Sequence, residues 1–176
     1  MTRIYLIGYM ASGKTTIGNL LAKEILWDFE DLDQTIEKRA NLAIPKLFYR
    51  YGEQAFREVE ASALYGTRTA INRVISTGGG APCYHQNMEW MKAHGLTIYL
   101  KTEPDTLIQR LVDEPNRRPL VANMNEQELE SYIDKHLESR RPYYEQAELV
   151  VDTQEVPQII ARNLAHVIAA LPRPEQ

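Results

Sequence analysis

Near the amino end, Gly8-Tyr-Met-Ala-Ser-Gly13-Lys14-Thr15 sets two glycines, a lysine and a hydroxyl at the spacing G-x-x-x-x-G-K-[ST]. Glycines at those places let the backbone turn tightly enough for its N–H groups to converge on an anion. Lys14 adds a point charge suited to β- and γ-phosphates, and the Thr15 hydroxyl can ligate Mg²⁺. The loop residues Gly8, Ala11, Ser12 and Gly13, followed by Lys14, Thr15 and Thr16, are therefore the expected cradle for the phosphates of a nucleotide. The apolar run Ile4–Ile7 before the loop suits a buried strand, and Thr16–Ile25 after it suits a helix whose positive end faces the same anion.

Two further clusters carry chemistry. Asp31 and Asp33 lie two residues apart where a second strand should end. One carboxylate there can hold Mg²⁺ and the other can orient or deprotonate a hydroxyl, although an Asp at a helix start also serves as a simple cap. Gly78-Gly79-Gly80 follows a third strand. Three consecutive glycines cost conformational entropy, which close backbone approach to a ligand would offset; a plain turn is the alternative. Arg57 and Glu60 are helix neighbours three apart, with Glu53 four before Arg57, and spacing alone reads as a surface salt bridge. Arg140 is ambiguous by itself.

The elements that must position these residues alternate between short apolar strands and helical patterns. The expected strands are Arg3–Ile7, Leu26–Glu30, Val74–Ser76, Thr97–Leu100 and Leu149–Val151. The expected helices are Lys14–Ile25, Leu32–Arg39, Ile44–Tyr51, Glu53–Ile71, Gln86–Ala93, Pro104–Val112 and Glu126–Glu138, with a last helix built on Val156, Ile160, Leu164, Val167 and Leu171. Phe56, Val59, Ala63 and Ala70 are the expected buried stripe of Glu53–Ile71. Alternation of this kind predicts an α/β fold, three layers α/β/α around a central five-stranded parallel sheet. Residues 112–125, polar and with two prolines, break the pattern and suit a moving lid. The tail from Pro172 should fray.

A chain of 176 residues with 44% hydrophobic and 25% charged residues suits one domain. A net charge of −4 gives no bulk basic field for nucleic acid or acidic membrane. Cys83 is the only cysteine, so no internal disulfide can form, which fits a reducing compartment. It is expected to fill space beside a loop. Met-Thr-Arg leads straight into a strand, and no apolar run is long enough to span a bilayer. Cytoplasm is the expected location.

Taken together, the phosphate loop, D-x-D at Asp31 and Asp33, F-R-x-x-E at Phe56–Glu60, the triple glycine, R-P-L at Arg118–Leu120 and R-x-P-x-Y at Arg140–Tyr144 resemble the shikimate kinase family of nucleoside-monophosphate-kinase-like P-loop phosphotransferases. The resemblance runs from about Ile4 to about Pro157. It implies ATP-dependent phosphorylation of the 3-hydroxyl of shikimate, with Mg²⁺, in aromatic amino acid biosynthesis. It also implies one kinase domain, with an acceptor-binding segment over about 31–62 and a lid over about 112–125.

By the same resemblance, Asp33 holds the acceptor hydroxyl and takes its proton, and Asp31 supports Mg²⁺ through water. Arg57 and Arg140 grip the substrate carboxylate, Glu60 supports the arginines, and Gly79 and Gly80 donate from the backbone. Arg118 is the lid arginine that swings over the phosphates, and Arg110 and Pro157 flank the adenine. The chain departs from the family at Thr15-Thr16, where Ser-Thr is commoner, and at Pro82-Cys83 after the glycines. A gluconate or nucleotide kinase lacks reason for the two-arginine grip. A silent nucleotide-binding module has no need of Asp33 and Lys14, and a nucleic-acid-binding ATPase would want a basic face.

Overall fold

The computed structural model describes residues 2–113, 121 and 124–172. Strands β1 (Arg3–Ile7), β2 (Asp28–Asp31), β3 (Arg73–Ser76), β4 (Leu96–Lys101) and β5 (Leu149–Asp152) form one sheet in the order β2-β3-β1-β4-β5. Every pairing is parallel. β1 is central, and its apolar residues serve two cores because successive side chains leave opposite faces. Ile4 and Leu6 join Ile17, Leu21, Ile160 and Leu164. Those residues come from α1 (Lys14–Glu24) and α7 (Pro157–Ala170), which pack on each other. Tyr5 and Ile7 enter the larger core on the other face. That side is covered by α2 (Leu32–Ala40), α3 (Ile44–Gly66), α4 (Asn87–His94), α5 (Pro104–Asp113) and α6 (Glu126–Tyr144). The expected three-layer α/β/α architecture is the one observed.

Several boundaries differ from expectation, each for a local reason. β2 begins at Asp28 rather than Leu26, because Leu26 takes a left-handed φ of 57° and closes the end of α1. Trp27 N–H then bonds back to the Ala22 carbonyl at 2.8 Å. α6 runs past Glu138 to Tyr144, with Pro142 inside its last turn. A proline there removes only one helical bond, and buried Arg140 and Tyr144 hold the turn down. Its start is fixed by a capping box: the Asn125 side chain accepts from Glu128 N–H at 2.9 Å, and the Glu128 carboxylate accepts from Asn125 N–H at 2.9 Å.

The expected helices Ile44–Tyr51 and Glu53–Ile71 are joined across a kink at Gly52, and the second ends at Gly66, followed by a 3₁₀ turn at Thr67–Thr69. Val59 is not part of the buried stripe: it is exposed, and Arg57 and Glu60 are buried instead. In α7, Ile160 and Leu164 are buried, but Val156 and Val167 face solvent, because the helix meets the sheet along a narrower strip than its apolar period suggests. The expected lid falls mostly outside the described residues. Of its ends, Val112 and Asp113 belong to α5, and Val121 is buried in the larger core. Residues 173–176 of the tail also lie outside them.

The kink has a purpose in packing. It stacks Phe48, before it, on Phe56, after it, at 4.3 Å between ring centres. Gly52 adopts φ 80°, ψ 171°, a combination essentially closed to side chains. Gly52→Ala is expected to destabilise the fold by about 1–3 kcal/mol through backbone strain alone, since nothing lies within 4 Å of the added methyl. Gly66→Ala, at helical φ −60° and ψ −22°, should be neutral or stabilising by up to about 1 kcal/mol. Urea unfolding of the two variants checks this, and equal effects would refute the strain account.

Candidate active site

Because the strands are parallel, the loops after β1, β2 and β3 all open at the same edge of the sheet. Two cavities lie there. The first, about 570 Å³, is lined by Ala11, Gly13, Lys14, Thr15 and Thr16 on one side. Asp31, Asp33 and Gly79 lie on a second side, and Arg110, Thr153 and Pro157 complete it. The second, about 370 Å³, is lined by Asp33, Phe48, Arg57, Glu60, the three consecutive glycines and Arg140. Asp33, Gln34 and Gly79 line both, so they form the wall where the cavities meet. Lys14 and Asp33 thus face a single crevice.

Lys14 is 8% exposed, and its Nζ donates to the Gly8 carbonyl at 2.9 Å and the Tyr9 carbonyl at 2.7 Å. Ser12 is fully buried, with its Oγ 3.4 Å from the same ammonium, so Gly8 and Ser12 shape the loop from beneath. Arg110 reaches from α5 and donates to the Ala11 carbonyl at 3.0 Å. Arg118 lies outside the described residues.

Asp31 fills the simpler of its two anticipated uses, the helix cap, and also binds the Thr15 hydroxyl. Its Oδ1 caps α2 by accepting from Asp33 N–H at 3.0 Å and Gln34 N–H at 3.3 Å. Its Oδ2 accepts from the Thr15 hydroxyl at 2.7 Å. Two hard oxygen donors meeting beside the phosphate loop fit a Mg²⁺ ion. Among the described residues no group of three or more His, Cys, Asp or Glu could hold a metal. This small oxygen pair matches an ion that takes one or two protein ligands and the rest from phosphates and water.

Arg57 and Glu60 are paired as spacing suggests, but the pair is buried rather than on the surface. Arg57 Nη1 meets Glu60 Oε2 at 2.8 Å, with side-chain exposures of 9% and 2%. Glu53 accepts from Arg57 Nη2 at 3.0 Å, and the Tyr84 ring covers the guanidinium at 4.3 Å. Burial pushes the Glu60 carboxyl up, against the pull of Arg57. Two of the three glycines are crowded by the protein's own side chains: a Cβ on Gly78 would overlap Glu60, and one on Gly80 would lie 2.6 Å from Arg57 Nη1. Gly79 offers its carbonyl to the Tyr144 hydroxyl at 2.6 Å. Cys83 is half-buried beside this loop, and burial pushes its thiol up to about 11, consistent with space filling.

Sequence reasoning missed Gln34, Tyr84, Tyr9 and His136, while the spacing of four placed Glu53 beside Arg57, where it is found. The Tyr9 hydroxyl lies 3.1 Å from His136 Nδ1. None of these four had a sequence signal.

A strand–loop–helix phosphate cradle at the open edge of a parallel sheet, beside a second cavity rich in guanidinium groups, defines a P-loop phosphotransferase. The family described as shikimate kinase matches residues 10–169. A shikimate kinase of Phocaeicola vulgatus is 42% identical over 156 residues, covering 89% of each chain. The crystal structure of shikimate kinase from Bacteroides thetaiotaomicron superposes with a TM-score of 0.91 at 37% identity, covering 96% of this chain and 98% of that one. Shikimate kinase from Acinetobacter baumannii, in complex with shikimate, superposes at 0.81 with 34% identity, covering 96% and 91%. The chain belongs to the shikimate kinase family, and is an enzyme that transfers phosphate from ATP to an alcohol of shikimate.

Burial, then the Arg140 and Arg57 guanidiniums, pushes the His136 imidazole down to about 4, with Glu53 acting the other way. Between the ordinary histidine range near 6.5 and that value, the unfolded chain binds a proton that the folded chain refuses. Stability therefore falls as pH drops through this window, and the ring adds no slope above it. His136→Asn should flatten the dependence of melting temperature on pH between about 6.5 and 4. An unchanged slope would mean that other groups set it.

Proposed function

We propose that the larger cavity holds ATP and the smaller one shikimate, and that the γ-phosphoryl group crosses at their shared wall. The observation that carries this is the position of Asp33, which lines both cavities between Lys14 on one side and two buried arginines on the other. In this reading Asp33 orients the 3-hydroxyl and accepts its proton as the new O–P bond forms. Arg57 and Arg140 hold the ring carboxylate, since a guanidinium fork pairs bidentately with a planar anion. Glu60 fixes the angle of Arg57 from within the protein, and the N–H groups of Gly79 and Gly80 face the ring hydroxyls.

On the donor side, Gly8, Ala11, Ser12, Gly13 and Thr16 form the phosphate cradle with Lys14. Arg110 and Pro157 flank the adenine. Thr15 and Asp31 would hold Mg²⁺, which neutralises phosphate charge when bound. Arg118 is assigned to the closing lid from sequence resemblance alone. Transfer of this kind depends on positioning and charge stabilisation more than on covalent chemistry. We assign the chain one kinase domain, with residues 31–62 as the acceptor-binding segment. Both substrates are small and water-soluble, and a cytoplasmic monomer suits their turnover.

A coupled assay of ADP release tests the reading: release should depend on shikimate, and release without it would overturn the substrate. Asp33→Asn should lower kcat by about 10²–10⁴-fold, the usual span for a positioned proton acceptor, while nucleotide still binds by calorimetry. Turnover close to that of the unsubstituted enzyme would remove Asp33 from the chemistry. Arg57→Lys keeps the charge but loses the fork, and should raise the KM for shikimate by about tenfold or more, as expected for a charge-assisted bond worth ~1.5–3 kcal/mol. The KM for ATP should stay in place. An unaltered shikimate KM would return Arg57 to a purely structural ion pair.

A further inference from the structure

Along α6, Tyr132, His136, Arg140 and Tyr144 recur at intervals of four, so they line one side of the helix. That side faces the phosphate loop and the glycine run. The Tyr132 and His136 rings are 4.9 Å apart, and His136 meets Tyr9 edge-on at 5.7 Å. The Arg140 guanidinium lies over the Tyr9 ring at 5.5 Å, and the Tyr144 hydroxyl holds the Gly79 carbonyl. Tyr9 is 1% exposed. Its own carbonyl is an acceptor for Lys14 Nζ at 2.7 Å. One residue therefore touches the ammonium of the ATP cavity through its backbone and the guanidinium of the shikimate cavity through its ring.

We propose that Tyr9 and His136 are positioning residues that fix Arg140 relative to Lys14, so that packing between the phosphate loop and α6 sets the distance from carboxylate grip to phosphoryl donor. The proposal rests on the assignment of Arg140 to the shikimate carboxylate made above. Its physical basis is the scarcity of freedom at Tyr9. A buried tyrosine hydroxyl needs a partner, and His136 Nδ1 lies 3.1 Å from it. That bond fixes the ring's torsion, and the fixed ring presents its face to the guanidinium, where the attraction depends on orientation. Burial keeps His136 neutral near neutral pH, and in its Nε2–H tautomer Nδ1 accepts from the hydroxyl. Arg140 is itself 8% exposed, and water has little room to take the ring's place.

The test is a double-mutant cycle on the full chain, read by steady-state kinetics in both substrates. Tyr9→Phe keeps the ring and removes the hydroxyl; His136→Phe keeps an aromatic ring and removes the acceptor. Each should raise the KM for shikimate by about two- to tenfold, the worth of one neutral hydrogen bond, with the KM for ATP within about twofold. The double variant should be no worse than either single one, because both remove the same bond. Tyr9→Leu, which takes away the ring, should raise the shikimate KM further.

Additive effects, equal losses toward ATP and shikimate, or an unchanged shikimate KM in both Tyr9→Phe and His136→Phe would overturn the proposal. Arg140→Lys separates it from its premise. If that variant binds shikimate normally, the Arg140 assignment fails and the proposal with it. If Arg140→Lys is impaired while Tyr9→Phe and His136→Phe are not, only the positioning role is lost.

Discussion

Every strand of the sheet runs in one direction, and that common direction is the constraint from which the site follows. A parallel sheet sends all its chain exits to one edge, so the loops after β1, β2 and β3 must share a crevice whatever their sequences. The central place of β1 adds a second condition. Its loop has β3 on one side and β4 on the other, so the anion cradle lies next to the glycine run that follows β3. Asp31, at the end of β2, is two strands away from β1. It reaches the cradle because Thr15 stands on the first turn of α1, and their side chains bridge the gap.

Burial gives the charged groups their force. Arg57, Glu60, Arg140 and Lys14 are each less than a tenth exposed. Charges so placed are destabilising unless partnered, and the partners visible here are other parts of the site. Glu60 and Glu53 hold Arg57 from two sides, and the carbonyls of Gly8 and Tyr9 hold Lys14. The carbonyls aim Lys14 without cancelling its charge, whereas the two carboxylates orient Arg57 and offset its charge. An anion entering the crevice meets donors whose direction is already set, so less ordering is left to binding.

The fold and much of the site were legible because their signals are local. The phosphate loop is contiguous, the strands are short apolar runs, and the glycine run is unusual in any chain. Arg57 and Glu60 were legible as neighbours but not as buried ones. Helical spacing states who is adjacent and says nothing of what packs over them, and the same gap misplaced Val59. The start of β2 was misread because Leu26 takes a backbone angle more typical of glycine, where propensity gives no warning. Tyr9 and His136 were missed for a stronger reason. Tyr9 stands at a position where the loop pattern accepts any residue, and His136 is an ordinary polar residue on an amphipathic helix. Their meeting depends on how α6 docks, 127 residues later in the chain.

Cys83 has a consequence for chemical probes. Electrophiles react with thiolates, and a sulfur held near 11 by burial supplies very little of that form under physiological conditions. The loop that follows the glycine run thus carries a weak nucleophile. Thiol-directed electrophiles should therefore modify Cys83 slowly near neutral pH.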